Sequence, residues 1–329
     1  MEALIEFNAQ ATQWLQTNYP QLRPFFEVFT ELGGFEFYLL VLTLTYWAIH
    51  KRAGVALAYM LLLANFLVEG SKHIVRDPRP FWRDPTLPPG DEIGYGAPSG
   101  HTTAATVLYG FLALWLRRGW IWLAAAVIIL LMALSRVYLG EHDPADVAAG
   151  FILGTLLLVV YLLWRHYLST RVQSRILGQR LLLALSVPMA LMTIYIALML
   201  VLGPPDSDTT WEQYVSPAEA ESLKRMAQAF GIYLGASIGL VLEPVRVRFL
   251  VQGPLWKRIT RFLLGIGVTL LIYLGSRAII PRDPIWLLVP LRGLAMLVLG
   301  LWAAYYAPRT FVWLRLADAS PEPESRVTL

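Results

Sequence analysis

Nine stretches of this 329-residue chain are apolar for nearly the ~20 residues an α-helix needs to cross a bilayer. They lie at about residues 34–50, 54–72, 101–117, 119–136, 146–164, 181–202, 226–243, 260–280 and 285–307. A chain with that many spans reads as a polytopic, all-α membrane bundle. Composition agrees: 57% of residues are hydrophobic and 15% charged, against roughly 25% charged in soluble domains. Ahead of the first span, Leu4, Phe7, Ala11, Trp14 and Leu15 share one helical face. That predicts an interfacial amphipathic segment within residues 1–32 rather than a tenth span. The start, MEALIEFNAQATQW, has no basic stretch and no cleavage site, so no removable signal peptide is expected.

The charges of the connections alternate. Lys51, Arg52, Arg117, Arg118, Arg165, Arg171, Arg175, Arg180, Arg246, Arg248, Lys257, Arg258, Arg261, Arg309 and Arg315 are read as following odd-numbered spans, whereas Asp206, Asp208, Glu212, Glu219 and Glu221 follow span 6. By the positive-inside rule the N-terminus and the connections after even-numbered spans face outward and the C-terminus is cytoplasmic. The expected organisation is an N-terminal segment at 1–32, a core at 33–202, an acidic outward loop at 203–225, a three-helix module at 226–308 and a cytoplasmic tail at 309–329, whose ADASPEPESRVTL reads as disordered. With a net charge of only +4 and its cations in loops on one side, the chain is not expected to bind nucleic acid. The absence of Cys excludes disulfides, thiolate catalysis and Cys-based metal sites.

Three polar clusters fall on the outward side: KHIVRDPRP at 72–80, PSGH at 98–101 and SRVYLGEHDPAD at 135–146. Singly they have ordinary readings as snorkelling cations, a helix start and a surface histidine. Together they suit a phosphate. Lys72 ends span 2, and Arg79 sits between Pro78 and Pro80, which stop helix continuation, so two cations can be aimed at one oxyanion. Ser99 is expected to cap the next helix and Gly100 to allow a close backbone approach, with free N–H groups forming an anion site. Asp143-Pro144 reads as N-cap and N1, which puts Asp146 in the first turn, within reach of one ring nitrogen of His142. That contact would fix the tautomer and leave the other nitrogen as a nucleophile. Arg136 adds a planar cation. His101, at a separate helix start, is then the acid for the departing oxygen, while Lys72, Arg79, Arg136, Ser99 and the Gly100 N–H hold the non-bridging oxygens.

The pattern Lys72-x6-Arg79-Pro80, Pro98-Ser99-Gly100-His101 and Ser135-Arg136-x5-His142-x3-Asp146 resembles, in full, the three-part signature of the type 2 phosphatidic acid phosphatase (PAP2) superfamily. That group includes lipid phosphate phosphatases, undecaprenyl pyrophosphate phosphatases, sphingosine-1-phosphate phosphatases, glucose-6-phosphatase and vanadium haloperoxidases. The resemblance covers about residues 35–165. It implies a six-helix core, here followed by about three further transmembrane helices, and a phosphohistidine mechanism without metal or cofactor. His142 is then the nucleophile, Asp146 its orienting partner and His101 the acid/base, with Lys72, Arg79, Ser99, Gly100 and Arg136 at the phosphate. The implied partner is a lipid phosphate or pyrophosphate in a bacterial inner membrane, with the site facing outward. A soluble sugar phosphate, or a lipid-binding or transport role with a residual site, are the competing readings.

Several further residues carry expectations. Arg76 and Asp77 are read as a local ion pair, His73 as a headgroup-level polar residue, and Phe81, Trp82 and Tyr95 as an aromatic belt. No carboxylate cluster for a divalent metal is expected. Arg292, inside span 9, needs an internal partner, with Glu243 or Asp283 as candidates. Gly231, Gly235 and Gly239 predict close helix packing, within the chain or across a homodimer.

Overall fold

The computed structural model describes residues 12–84, 87, 90, 92–168, 171–172, 175–206 and 209–321. Among these residues the chain is helical, apart from turns, loops and an isolated bridge between Phe249 and Ala319. The long elements are α1 (Arg23–Glu31), α2 (Phe35–Leu44), α3 (Lys51–Val75), α4 (Gly100–Leu116), α5 (Gly119–Tyr138), α6 (Pro144–Leu163), α7 (Leu177–Leu202), α8 (Glu212–Arg246), α9 (Leu255–Ile279), α10 (Ile285–Leu301) and α11 (Ala307–Trp313). Each of the nine apolar runs falls on one of α2 to α10, in order. Seven helices, extended by the turns that continue them, are individually long and apolar enough to cross a membrane. An eighth span arises if the pair Pro20–Glu31 and Phe35–Ile49, bent by 46°, counts as one. The ninth, α4, has 17 residues, at the short end of what spans.

The chain forms two compact units, each discontinuous in sequence. One comprises Met1–Tyr38, Leu67–Leu158 and Leu198–Leu223; the other comprises Leu39–Phe66, Val159–Ala197 and Lys224–Leu329. In the first, α4 and α5 form a hairpin whose turn is made by Arg117 in the left-handed region (φ 53°), its N–H bonded to the Ala113 carbonyl. Helix α1 packs on α5. Close approach of α4 to α6 depends on two glycines. A Cβ on Gly150 would lie 2.5 Å from the Ser99 carbonyl oxygen, and one on Gly154 would lie 2.6 Å from Thr106 Cβ.

In the second unit, α8 packs on α10 through the predicted glycines. A Cβ on Gly231 or Gly235 would run into the carbonyls of Gly293 or Leu297, and one on Gly239 would lie 2.6 Å from Ala304 Cβ. The contact is therefore within the chain. Short π-helical turns extend α2 (Thr45–Ile49) and α10 (Trp302–Tyr306), and Trp47 Nε1 and Tyr46 OH donate to the Ala303 and Ala304 carbonyls at 3.0 and 3.1 Å. Glu243 is paired with Lys51 at 2.8 Å and also accepts the Phe249 N–H.

Three expectations change. The acidic stretch is not a loop throughout: α8 begins at Glu212, and Ala218, with Trp211 and Tyr214 beside it, packs in one cluster with Phe81, Trp82, Leu87 and Tyr95. Those aromatics are therefore buried core rather than an interfacial belt. The tail is ordered as far as Pro321, since Leu250 N–H bonds Asp318 O and Ser320 N–H bonds Arg248 O, both at 2.8 Å. Residues 322–329 lie outside the described residues, as do 1–11 of the amphipathic segment; of that segment, 12–18 are helical, and Gln16 Nε2 donates to Tyr138 O at 2.7 Å.

Candidate active site

All eight residues singled out for phosphate chemistry lie in the first unit, within Leu67–Leu158. Lys72 is in the last turn of α3. The helix stops at Val75, Arg76 takes a left-handed conformation (φ 54°), and Pro78 and Pro80 carry the chain to a single helical turn, Pro80–Arg83. This detour buries Arg79 completely. Its Nε donates to Gly94 O at 2.7 Å and its Nη1 to Glu141 O at 3.0 Å, which fixes the plane of the guanidinium.

Ser99 stands at the N-cap of α4, but its hydroxyl does not cap it. Instead the Ser99 N–H donates to Asp146 O at 2.9 Å, and its Oγ accepts from Thr102 Oγ1 at 3.1 Å. Thr103 Oγ1, bonded to Gly150 O at 3.1 Å, ties α4 to α6 a turn further on. The start of the helix that carries Gly100 and His101 is thereby locked to the start of the helix that carries Asp146. His101 rests against Gly33, where a Cβ would lie 2.8 Å from its Cδ2.

His142, almost fully buried, sits just before α6 with Nδ1 3.3 Å from Asp146 Oδ2. The same oxygen accepts the Asp143 N–H at 3.1 Å, as the third helical residue does in a capping box. The helix start therefore holds the carboxylate that orients the imidazole. His142 Nε2 is buried and has no hydrogen-bond partner among the described residues. Burial pushes its pKa well below the usual histidine value, and Arg79, Arg136 and Lys72 push the same way against the opposing effect of Glu92. The ring is then neutral at neutral pH, and with Nδ1 donating to Asp146 its lone pair lies on Nε2.

Two carboxylates that the sequence patterns did not single out complete the site. Glu141 Oε2 lies 2.7 Å from Arg79 Nη1 and 3.9 Å from Arg136 Nη2. Glu92 accepts from Arg79 Nη2 at 3.1 Å and from Arg136 Nη2 at 2.8 Å, and lies 3.6 Å from His101 Nδ1. Burial raises the Glu92 pKa, but Arg136, Arg79, His101 and Lys72 outweigh it and hold the carboxyl well below its usual range. The only signals in the sequence were an acidic residue inside the third cluster and another shortly before PSGH.

The neighbouring polar groups pair differently from the sequence expectations. Arg76 reaches Glu219 at 3.4 Å and Gly203 O at 2.8 Å, while Asp77 binds Arg83 at 2.6 Å, so Arg76 and Asp77 are not each other's partners. His73 is buried with Nε2 3.0 Å from Glu219, which also accepts from Tyr95 OH at 2.7 Å. A carboxylate cluster does exist: Asp77, Asp143 and Asp146 have oxygens within 4.8 Å of one another. Arg83 bridges the first two, at 2.6 Å and 2.7 Å, and supplies the positive charge that such a cluster requires.

Comparison with known proteins agrees with this constellation. A family model described as the PAP2 superfamily matches residues 53–170, and one described as the PAP2 superfamily phosphatase, transmembrane extension, matches residues 227–319. The chain is 34% identical over 128 residues to an undecaprenyl-diphosphatase of Sulfolobus acidocaldarius, covering 38% of this chain and 57% of that one. It is 30% identical over 144 residues to the mouse (Mus musculus) sphingosine-1-phosphate phosphatase 1, covering 40% and 32%. It is 26% identical over 184 residues to the Bos taurus glucose-6-phosphatase catalytic subunit 1, covering 47% and 52%. The chain thus spans between a third and just over half of the length of these relatives. No solved structure matches it.

Proposed function

From the PAP2 superfamily domain at residues 53–170 and the PAP2 transmembrane extension at 227–319, we propose that this integral membrane protein is a phosphatase that hydrolyses a lipid phosphate or lipid pyrophosphate through a phosphohistidine. The observation that carries the reading is the unpartnered, buried Nε2 of His142, with Nδ1 held by Asp146, among Lys72, Arg79 and Arg136. A binding protein has no need of an oriented, neutral imidazole with one nitrogen free.

In the first step His142 Nε2 attacks phosphorus, the N–P bond forms and the bond to the lipid oxygen breaks. Asp146 stabilises the positive charge that develops on the ring. His101 gives a proton to the departing oxygen, and Arg79, Arg136, Lys72 and the amide groups at the start of α4 hold the non-bridging oxygens as charge accumulates. In the second step His101 takes a proton from water, which attacks phosphorus and breaks the N–P bond, releasing inorganic phosphate and restoring neutral His142. No metal takes part, and Arg83 serves Asp77 and Asp143 as their counter-cation.

The site stands at helix ends opposite in chain alternation to those followed by Lys51, Arg117 and Arg165. The positive-inside rule supports an outward face, level with headgroups. The likeness to a glucose-6-phosphatase favours a soluble sugar phosphate as the second reading of the substrate. Phosphate release in detergent with EDTA, from undecaprenyl pyrophosphate, phosphatidic acid, sphingosine 1-phosphate and glucose 6-phosphate, separates the two. Hydrolysis of a lipid that is lost in His142→Ala supports the proposal. Hydrolysis of glucose 6-phosphate alone sinks the lipid reading, and activity that survives in His142→Ala sinks the mechanism.

A further inference from the structure

We propose that Glu92 is an internal competitor for the phosphate: its carboxylate occupies the anion position between Arg79, Arg136 and His101, substrate binds by displacing it, and its return helps to expel inorganic phosphate. The inference rests on the site assignment of the preceding section and deepens it, by naming a residue that sets phosphate affinity.

Glu92 contacts the groups a phosphate needs. One oxygen, Oε2, lies 3.1 Å from Arg79 Nη2; the other, Oε1, lies 2.8 Å from Arg136 Nη2 and 3.6 Å from His101 Nδ1. A carboxylate bridging two guanidinium groups offers the same charge-assisted geometry as two oxygens of a phosphate. A phosphate oxygen at either place would take the position of the carboxylate oxygen that now accepts from Arg79 Nη2 or Arg136 Nη2.

Glu141 also binds Arg79, yet the two carboxylates are not equivalent. Glu141 is buried, and its own backbone carbonyl accepts from the same guanidinium as its side chain, so it is built into the site. Glu92 keeps a 22% exposed side chain and sits on a non-helical connection between the Pro80–Arg83 turn and α4. It is the carboxylate that can leave. Charge balance points the same way. With Glu92 withdrawn, Lys72, Arg79 and Arg136 set against Glu141 carry two net positive charges, matching the dianion of a phosphate monoester above its second pKa of about 6.

The rival account is that Glu92 is a structural brace that keeps Arg79 and Arg136 aligned. The accounts predict opposite signs for phosphate affinity. The full chain in detergent, with no lipid substrate, is titrated calorimetrically with inorganic phosphate as wild type, Glu92→Gln and Glu92→Asp. A competitor predicts that Glu92→Gln binds phosphate about tenfold tighter or more, the equivalent of losing one charge-assisted contact from the unliganded state, and that Glu92→Asp falls between. The same variants should show lower KM and stronger product inhibition.

Phosphate binding by Glu92→Gln that is unchanged, weaker or absent overturns the proposal. If Glu92→Gln does not fold, judged by its unfolding midpoint, Glu92→Asp decides by the same criterion. Because binding is read without turnover, the two readings fail separately. Tighter phosphate binding in a protein that hydrolyses nothing keeps the competitor and sinks the phosphatase; His142-dependent hydrolysis with unaltered phosphate binding does the reverse.

Discussion

Replacing Gly150 by Ala tests whether the two histidines proposed for catalysis are held by the contact between α4 and α6. The new Cβ would lie 2.5 Å from Ser99 O, 3.1 Å from Thr103 Oγ1 and 3.3 Å from Thr102 Cβ. The nearest atom is a backbone carbonyl, so no side-chain rotation relieves it. Carbon-to-oxygen contacts are comfortable at about 3.3 Å, so the start of α4 must retreat by about 0.8 Å. That is the helix start that carries His101 and contributes the Ser99 N–H to Asp146 O. A displacement near 1 Å costs about 10²-fold in rate, and a loss of 10- to 100-fold in kcat is the expected order. Stability is the weaker readout: overpacking costs about 1–3 kcal/mol, and the better helix propensity of Ala returns about 1 kcal/mol. The assay is phosphate release per folded protein, with Gly267→Ala as control, since nothing lies within 4 Å of a Cβ there. Full activity in Gly150→Ala would refute the argument that this contact sets the catalytic geometry.

Further outcomes are expected from the same geometry. Asp146→Asn should keep substrate binding and lower kcat by about 10²- to 10⁴-fold; an unchanged kcat would remove Asp146 from the mechanism. Because the His142 pKa is depressed in the folded protein, the acid limb of kcat/KM should lie below pH 6.5, and a limb at the ordinary histidine value of about 6.5 would contradict the burial argument. The folded state then binds fewer protons here than the unfolded chain, so this group's effect lowers stability as pH falls through about 6.5. His142→Ala should accordingly flatten the pH dependence of the unfolding midpoint in that window. Glu243→Gln breaks a buried pair with Lys51 and should cost about 3–5 kcal/mol, measured by unfolding, with the activity of the folded fraction unchanged.

Local relations were legible in the sequence, and distant ones were not. The contact of His142 with Asp146 follows from four-residue spacing at a Pro-marked helix start, and the nine apolar runs needed only their length. Glu92 meets Arg136 across 44 residues and Arg79 across 13, with no periodicity to announce either. Gly33 shapes the seat of His101 from a loop that precedes the first apolar run. The acidic stretch before span 7 has the charge density of a loop, yet it is helical from Glu212. Val215, Ala218 and Ser222 are nevertheless buried at helical spacing, which makes that end of α8 an amphipathic helix rather than a connection. Arg76 and Asp77 are adjacent in sequence, but the left-handed turn at Arg76 separates their directions.

The π-helical turns that extend α2 and α10 have a consequence for biosynthesis. Tyr46 and Trp47 reach synthesis long before the carbonyls they bind, those of Ala304 and Ala303, separated from them by 258 and 256 residues. At about 5–20 residues per second, these donors wait on the order of 10–50 s while the rest of the chain is made. A buried polar donor without a partner is costly in lipid, so the nascent early helices have reason to stay near water, a translocon or a chaperone until the last span arrives. Loss of the C-terminal spans would then leave an early helix that never completes its bonds, a signal for degradation even in a chain that retains His101, His142 and Asp146.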